Sequence, residues 1–295
     1  RFQWTAPIAI SPHDPMELYH GANVLFRSTD RGQTWTAISP DLTRNDKSKQ
    51  KWSGGPITGD NTGVELYCTI FSIALSPLEK GLIWVGSDDG LVHITRDGGA
   101  TWTAVTPPGT PEWGTVESIE ASRYAAGTAY VSVDAHRLDD PRPYVFKTTD
   151  YGKTWSLVTQ GLAKDSPVYA VREDEVLPTL LYAGHERGVA FSRDGGASWP
   201  PLDLGLPTVA VVDLEAKHGD LILGTRGRSI WILDDVSPLR IAPSSLDAAT
   251  PTLLVSRSAR HLARGSNWSD EAAGQNPPRG AIVHYHLPQK VEGGL

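Results

Sequence analysis

Four copies of one octapeptide punctuate the chain: Ser28-Thr-Asp30-Arg-Gly32-Gln-Thr34-Trp35, Thr95-Arg-Asp97-Gly-Gly99-Ala-Thr101-Trp102, Thr148-Thr-Asp150-Tyr-Gly152-Lys-Thr154-Trp155 and Ser192-Arg-Asp194-Gly-Gly196-Ala-Ser198-Trp199. Each fits Ser/Thr-x-Asp-x-Gly-x-Thr/Ser-Trp, and self-similarity of this kind constrains an architecture more than any single segment does. The residue types describe a tight turn. The Asp carboxylate accepts from nearby backbone amides, the Gly tolerates positive φ, and the Ser/Thr hydroxyls close the turn locally. The Trp opens the next strand and is placed to pack between neighbouring repeats. These twelve Asp, Gly and Trp positions read as structural.

Around each turn the order also repeats. An apolar strand (Phe71–Leu75, Val116–Ile119, Val168–Val171, Val209–Val212) is followed by a second (Leu82–Val85, Thr128–Val131, Leu180–Ala183, Leu221–Leu223). A polar turn, a third strand, the octapeptide and a fourth strand opened by the Trp complete the unit. That is a four-stranded antiparallel meander, and its repetition predicts an all-β fold, a β-propeller of four-stranded blades. Five units are recognisable, and closure is expected to need six or seven. The fifth, Val209 to Val236, keeps three strands and replaces the octapeptide with Asp234-Asp235. Ten Trp, nine Tyr, 29 Gly and 22 Pro against one Met suit short strands and tight turns.

Three regions are expected: a propeller over 1–240, a Pro/Ser/Asn-rich linker or surface-packed segment over 241–279, and over 280–295 a closing strand or the start of a truncated β-sandwich. The longer intervals between repeats place insertions at residues 40–66 and 136–143. The first residues are not those of a signal peptide, so the chain reads as the interior of a longer precursor or as a trimmed mature chain. A formal charge of -7 gives no footprint for nucleic acid, and no apolar run is long enough to span a bilayer. The lone Cys68 excludes an intrachain disulfide. No metal-ligand spacing or phosphate loop occurs, so no cofactor is expected; the acidic loop at Asp139-Asp140 is the one place suited to an ion, calcium.

With the four octapeptides, the phrases Ala6–Pro12, Ser39–Arg44 and Gly224–Asp235 make the chain resemble the BNR/Asp-box superfamily of sialidase-like propellers, closest to bacterial glycosyl-hydrolase-like proteins related to the sortilin/Vps10 ectodomain. The resemblance covers residues 5–240. It implies a large secreted or periplasmic protein with flanking domains on the same polypeptide. The superfamily includes sialidases, xyloglucan-cleaving enzymes and non-enzymatic receptors, so the fold does not choose among them.

Strand direction places the octapeptide turns on one face and the second-to-third turns, with the long insertions, on the other. On that opposite face the ligand-binding candidates are Trp52, Asp89, His136, Arg137, His185, Arg187, Arg226 and Arg228. Trp52 is suited to stacking on a sugar. The bland readings are that Asp88-Asp89-Gly90 is an ordinary hairpin turn, that His185-Glu186-Arg187 is another, that Arg226 and Arg228 pair with Asp234 or Asp235, and that 136–142 is solvated loop. Glycoside hydrolysis needs two carboxylates, for which Asp60, Glu65, Asp88 and Glu186 are the candidates. A sialidase would need a tyrosine backed by a glutamate, and no such pairing is evident. The leading expectation is a non-catalytic module of an exported bacterial protein that binds a glycan or a protein. The alternatives are an endo-acting glycoside hydrolase, its site completed by a second propeller, and a structural module of a larger assembly.

Overall fold

The computed structural model describes residues 1–51, 54–59, 66–203, 205–241, 244, 246, 250–254, 257–258 and 280–288. They form an all-β assembly of five successive antiparallel sheets. The first holds β1 (Ile8–Ile10), β2 (Leu18–Gly21), β3 (Leu25–Ser28) and β4 (Thr36–Ala37). The second holds β5 (Ile70–Leu75), β6 (Ile83–Ser87), β7 (Val92–Thr95) and β8 (Thr103–Ala104). The third holds β9 (Thr115–Ala121), β10 (Ala129–Ala135), β11 (Asp140–Thr148) and β12 (Ser156–Leu157). The fourth and fifth have three strands each: β13 (Val168–Glu173), β14 (Leu181–His185), β15 (Gly188–Ser192), then β16 (Val211–Lys217), β17 (Asp220–Thr225) and β18 (Ile230–Leu233).

Two expectations change. Trp199 opens no fourth strand, because Pro200 and Pro201 follow it and proline lacks the N–H a ladder needs; a single bridge from Ala190 to Pro201 remains. Residues 136–143 are not merely an inserted loop: after one 3-10 turn, His136–Leu138, the chain enters β11 at Asp140. Beyond the fifth sheet, β19 (Thr252–Leu253) pairs with β20 (Tyr285–His286), and His284 Nε2 lies 3.4 Å from Asp235.

The octapeptide turns repeat one hydrogen-bond set. In the first, Ser28 Oγ donates to Asp30 Oδ1 (2.7 Å) and accepts from Gly32 N (2.8 Å), while Asp30 accepts from Thr34 N (2.9 Å) and Thr34 Oγ1 (2.7 Å). The bonds around Asp97, Asp150 and Asp194 follow suit. The Thr34 bonds hold the half-exposed Asp30 carboxyl down at about 2. Gly99 shows why glycine is needed there: φ is +101° and an added Cβ would lie 2.6 Å from the Ile38 carbonyl oxygen of the preceding unit.

Consecutive sheets pack face to face. Tyr19 and Leu25 meet Ile70 and Ile83; Trp84 and Ile94 meet Val116 and Val131; Tyr130 and Val145 meet Leu181 and Trp199; Tyr182 and Val189 meet Leu214 and Leu221. The Trp of each turn seals the seam to the sheet before it: Trp102, Trp155 and Trp199 donate from Nε1 to the carbonyls of Ile38, Val105 and Val158 at 3.0, 2.9 and 2.8 Å. Trp35 belongs to the first sheet among the described residues and donates to Gly32 O of its own turn (3.1 Å). The first strands of the sheets lie innermost. There Arg172 donates to Ser118 Oγ (2.9 Å) and Asp213 Oδ1 (3.0 Å), tying three sheets together. The outer faces of the first and fifth sheets stay open, with Ile8, Ile10, Ile230 and Ile232 exposed.

Close approach of sheets also explains glycines in second strands. A Cβ on Gly86 would lie 2.3 Å from Val116 Cγ1 and 2.5 Å from Ser72 Oγ. Gly86→Ala is therefore expected to cost about 1–3 kcal/mol by forcing the second and third sheets apart. Urea unfolding checks this, and an unchanged midpoint would contradict the packing described.

Candidate functional site

The inner strands carry a repeated irregularity. Pairing skips one residue in each of four sheets, at Phe71, Glu117, Tyr169 and Val212. A β-bulge of this kind leaves one residue out of the ladder and re-aims its side chain. All four sit near the start of their strands, at the rim opposite the octapeptide turns. Two of them are polar, Glu117 and Tyr169, and around these two the site assembles.

Glu117 lies among charged groups from other strands. Burial pushes its carboxyl up to about 7; Asp134 pushes the same way, and Arg137 and Arg226 act against them. Asp134, near the end of β10, is 4% exposed and accepts from His136 N (3.0 Å), with the His136 ring Nδ1 at 2.5 Å. Tyr169 donates from its hydroxyl to Glu186 Oε2 (2.6 Å), and the Arg226 guanidinium sits 5.2 Å from the Tyr169 ring centre. Burial and the Glu186 bond raise the Tyr169 hydroxyl, so the phenol stays protonated. A cavity of about 500 Å³ adjoins this cluster; Asp134 and Arg137 line it together with Tyr67, Trp113, Lys49 and Lys51. A carboxyl that keeps its proton near neutrality beside a second carboxylate is the arrangement acid-assisted cleavage of a glycosidic bond requires.

The sequence-predicted residues divide. Arg137, Glu186 and Arg226 join the cluster, and His136 orients Asp134. Arg226 lies over Tyr169 rather than pairing with Asp234 or Asp235. Asp88 and Asp89 are spent on the scaffold. Asp88 accepts from Thr69 N and Oγ1, both at 2.8 Å, and burial raises its carboxyl to about 6. Asp89 accepts from Ser87 Oγ (2.5 Å) and Arg44 N (2.7 Å). They are 2% and 0% exposed and, unlike Asp134, neither lines the cavity. His185 Nδ1 is 2.8 Å from Ser166 Oγ and accepts from Arg187 N (3.2 Å); burial lowers its pKa. Arg187 pairs with Asp165. The Arg228 carbonyl accepts from Trp231 Nε1 (2.9 Å). Trp52, Asp60 and Glu65 lie outside the described residues.

Asp140, of the acidic pair suited to calcium, is engaged by Arg142 Nε (2.8 Å), Arg142 Nη2 (2.7 Å) and Tyr144 Oη (2.7 Å). Among the described residues no group of three His, Cys, Asp or Glu is arranged to hold a metal. No helix among them is long and apolar enough to cross a membrane.

Glu117, Asp134 and Tyr169 were missed by sequence reasoning. The signal was present: a glutamate inside the apolar run Val116–Ile119, at the position equivalent to Tyr169. The Tyr169–Glu186 pair corrects the expectation that no tyrosine is backed by a glutamate.

Comparison with known proteins gives three kinds of match. The BNR/Asp-box repeat model matches residues 26–37. A probable oligoxyloglucan-reducing end-specific xyloglucanase of Neosartorya fischeri is 25% identical over 81% of this chain and 28% of its own length. A xyloglucanase of Paenibacillus sp. is 27% identical over 56% of this chain and 20% of its own. The crystal structure of the GH74 xyloglucanase from Xanthomonas campestris superposes with a TM-score of 0.58 at 20% identity, covering 80% of this chain and 37% of that one. The chain thus spans about a quarter of the length of the curated relatives it matches. These relatives are xyloglucanases, which overturns the sialidase-like and sortilin/Vps10-related assignment. They are enzymes by name, so the expectation of a non-catalytic binding module falls with it.

Proposed function

We propose that the chain supplies part of the catalytic cleft of a glycoside hydrolase acting on xyloglucan, with Glu117 as proton donor and Asp134 as its carboxylate partner. The observation that carries this is the bulge that turns Glu117 out of the β9 ladder into a half-buried, charge-lined rim, where burial raises its carboxyl to about 7. The exposed Arg226, held over the buried Tyr169 ring, offers its guanidinium to a sugar hydroxyl, and the likeness to xyloglucanases supports the substrate class. The five sheets are consecutive blades of a propeller whose open faces, at Ile8 and Ile10 and at Ile230 and Ile232, are covered by further sheets of the same polypeptide. A polymer of this size does not cross a membrane unaided, so the protein acts outside the cytoplasm.

Incubating the protein with xyloglucan and following new reducing ends and product sizes tests this reading. Release of oligosaccharides is expected. Xyloglucan that is bound but left intact, by this chain and by the chain extended with its flanking sequence, would contradict it.

A further inference from the structure

The cavity beside Asp134 holds more positive charge than the hydrolysis of a neutral polysaccharide uses. Lys49, Lys51 and Arg137 all line its volume of about 500 Å³, in a chain whose formal charge is -7. Several arginines elsewhere are matched by a carboxylate: Arg142 with Asp140, Arg187 with Asp165, Arg172 with Asp213, Arg240 with Asp174. Among the described residues no carboxylate oxygen lies within ion-pair distance of Lys49, Lys51 or Arg137. Asp46 senses Lys49 only at longer range. Asp134 is engaged by His136 through its backbone N–H and ring and makes no ion pair with Arg137; as a lining carboxylate it offsets one of the three positive charges and leaves two in excess.

The walls of the cavity are fixed in place. Tyr67 donates from its hydroxyl to the Trp113 carbonyl (2.6 Å), and the two rings stand 5.9 Å apart. Lys49 Nζ rests 5.2 Å from the Trp113 ring centre, which holds the ammonium at the cavity wall without a counter-ion. Trp113 itself adopts φ +65°, a left-handed backbone rare for so large a side chain and costly unless the surroundings require it. Gln3 adds a neutral polar group. A volume in the range of small-ligand sites, with rigid aromatic walls and three cations that have no ion-pair partner among the described residues against one lining carboxylate, fits a sugar that carries a negative charge.

We infer that this cavity is a subsite for an acid-bearing sugar, a hexuronate or sulphated residue on the glycan, next to the Glu117–Asp134 centre. The inference rests on the glycan-cleft reading and narrows it to acidic branches of the substrate. The attraction is electrostatic and partly exposed to solvent, so salt should weaken it.

Calorimetric titration of the Glu117→Gln protein, which binds without turnover, with three oligosaccharides of equal length tests it: a neutral xyloglucan fragment, the same fragment bearing a glucuronate branch, and the same fragment bearing a sulphate ester. At low ionic strength an acidic fragment is expected to bind about ten-fold more tightly than the neutral one, equivalent to about 1.4 kcal/mol and consistent with two or three partly exposed ion pairs. The advantage should shrink toward unity in 0.5 M salt, taken as roughly the regime where screening acts within a few ångströms. In the Lys49→Gln/Lys51→Gln variant the ratio of acidic to neutral affinity should fall most of the way to one. Tighter binding of the glucuronate fragment identifies a carboxylate site, and tighter binding of the sulphate ester a sulphate site; both sustain the inference. Equal or weaker binding of both acids, or a preference that the lysine variant keeps, overturns it. Because binding is read without turnover, hydrolysis of xyloglucan with no acidic preference defeats this inference alone, whereas an acidic preference without hydrolysis defeats only the assignment of catalysis.

Discussion

Glu117→Gln is expected to lower kcat on xyloglucan by about 10²–10⁴-fold, the contribution usual for a positioned general acid, while leaving the fold intact. The amide keeps the shape and polarity of the carboxyl and loses only the proton. The pH dependence follows from the direction of the shift. Burial, with Asp134 adding to it, raises the Glu117 carboxyl to about 7, so the protonated, active form persists to that pH. Wild-type kcat/KM should therefore fall about ten-fold per pH unit above about 7 where this group governs the limb. Stability runs in the same sense. A carboxyl raised in the folded state contributes stability that is fully present below its unfolded value of 4.5 and is lost as pH rises through about 7. Glutamine carries no such penalty, so at pH 8, taken as roughly one unit past that midpoint, the variant should resist urea better than the wild type. Steady-state kinetics and urea melts at two pH values check both halves. An active glutamine variant would move the chemistry away from Glu117.

Trp199→Ala carries the largest expected stability loss, about 3–5 kcal/mol. The Trp199 side chain is fully buried, packs with Tyr130, Val145, Leu181 and Ala190, and donates to Val158 O at 2.8 Å across the seam between the third and fourth sheets. Truncation leaves a cavity and an unpaired carbonyl together. Trp35 occupies the same place in the same octapeptide, yet it is 40% exposed and bonds within its own turn. Trp35→Ala is expected to cost less than about 1 kcal/mol, as surface substitutions generally do. Urea midpoints of the two variants measure the contrast. Equal losses would mean that the tryptophan serves its own turn rather than the seam. In a longer polypeptide that covers the first sheet, the cost at Trp35 should climb toward that at Trp199.

These contrasts show which features the sequence made legible. The octapeptide encodes its turn through residues four apart, so the bonds around Asp30, Asp97, Asp150 and Asp194 could be anticipated from local chemistry alone. The strand order was equally legible, since apolar runs and turns alternate at short range. The missing fourth strand after Trp199 was also written locally, in Pro200-Pro201, but the repeat pattern spoke against it.

The site is a different case. A bulge shifts one residue of the ladder without changing the apolar pattern, so Val116-Glu117 and Val168-Tyr169 read as ordinary strand. Its partners come from other strands and other sheets: Asp134 from β10, Glu186 from the turn after β14, Arg226 from the turn after β17. Turn chemistry placed Glu186 and Arg226 on the correct rim. It also placed Asp88 and Asp89 there, and only burial shows that Thr69, Ser87 and Arg44 consume those two carboxylates. Short-range rules assign a residue to a rim; they do not say whether it faces the cleft or the scaffold.

The most direct test is a crystal structure of the Glu117→Gln protein soaked with a xyloglucan oligosaccharide. The account places a glycosidic oxygen within hydrogen-bond reach of residue 117, about 2.6–3.2 Å, with Asp134 facing the same sugar. An oligosaccharide bound on the face of the octapeptide turns, or on the opposite rim but out of reach of residue 117, would contradict it.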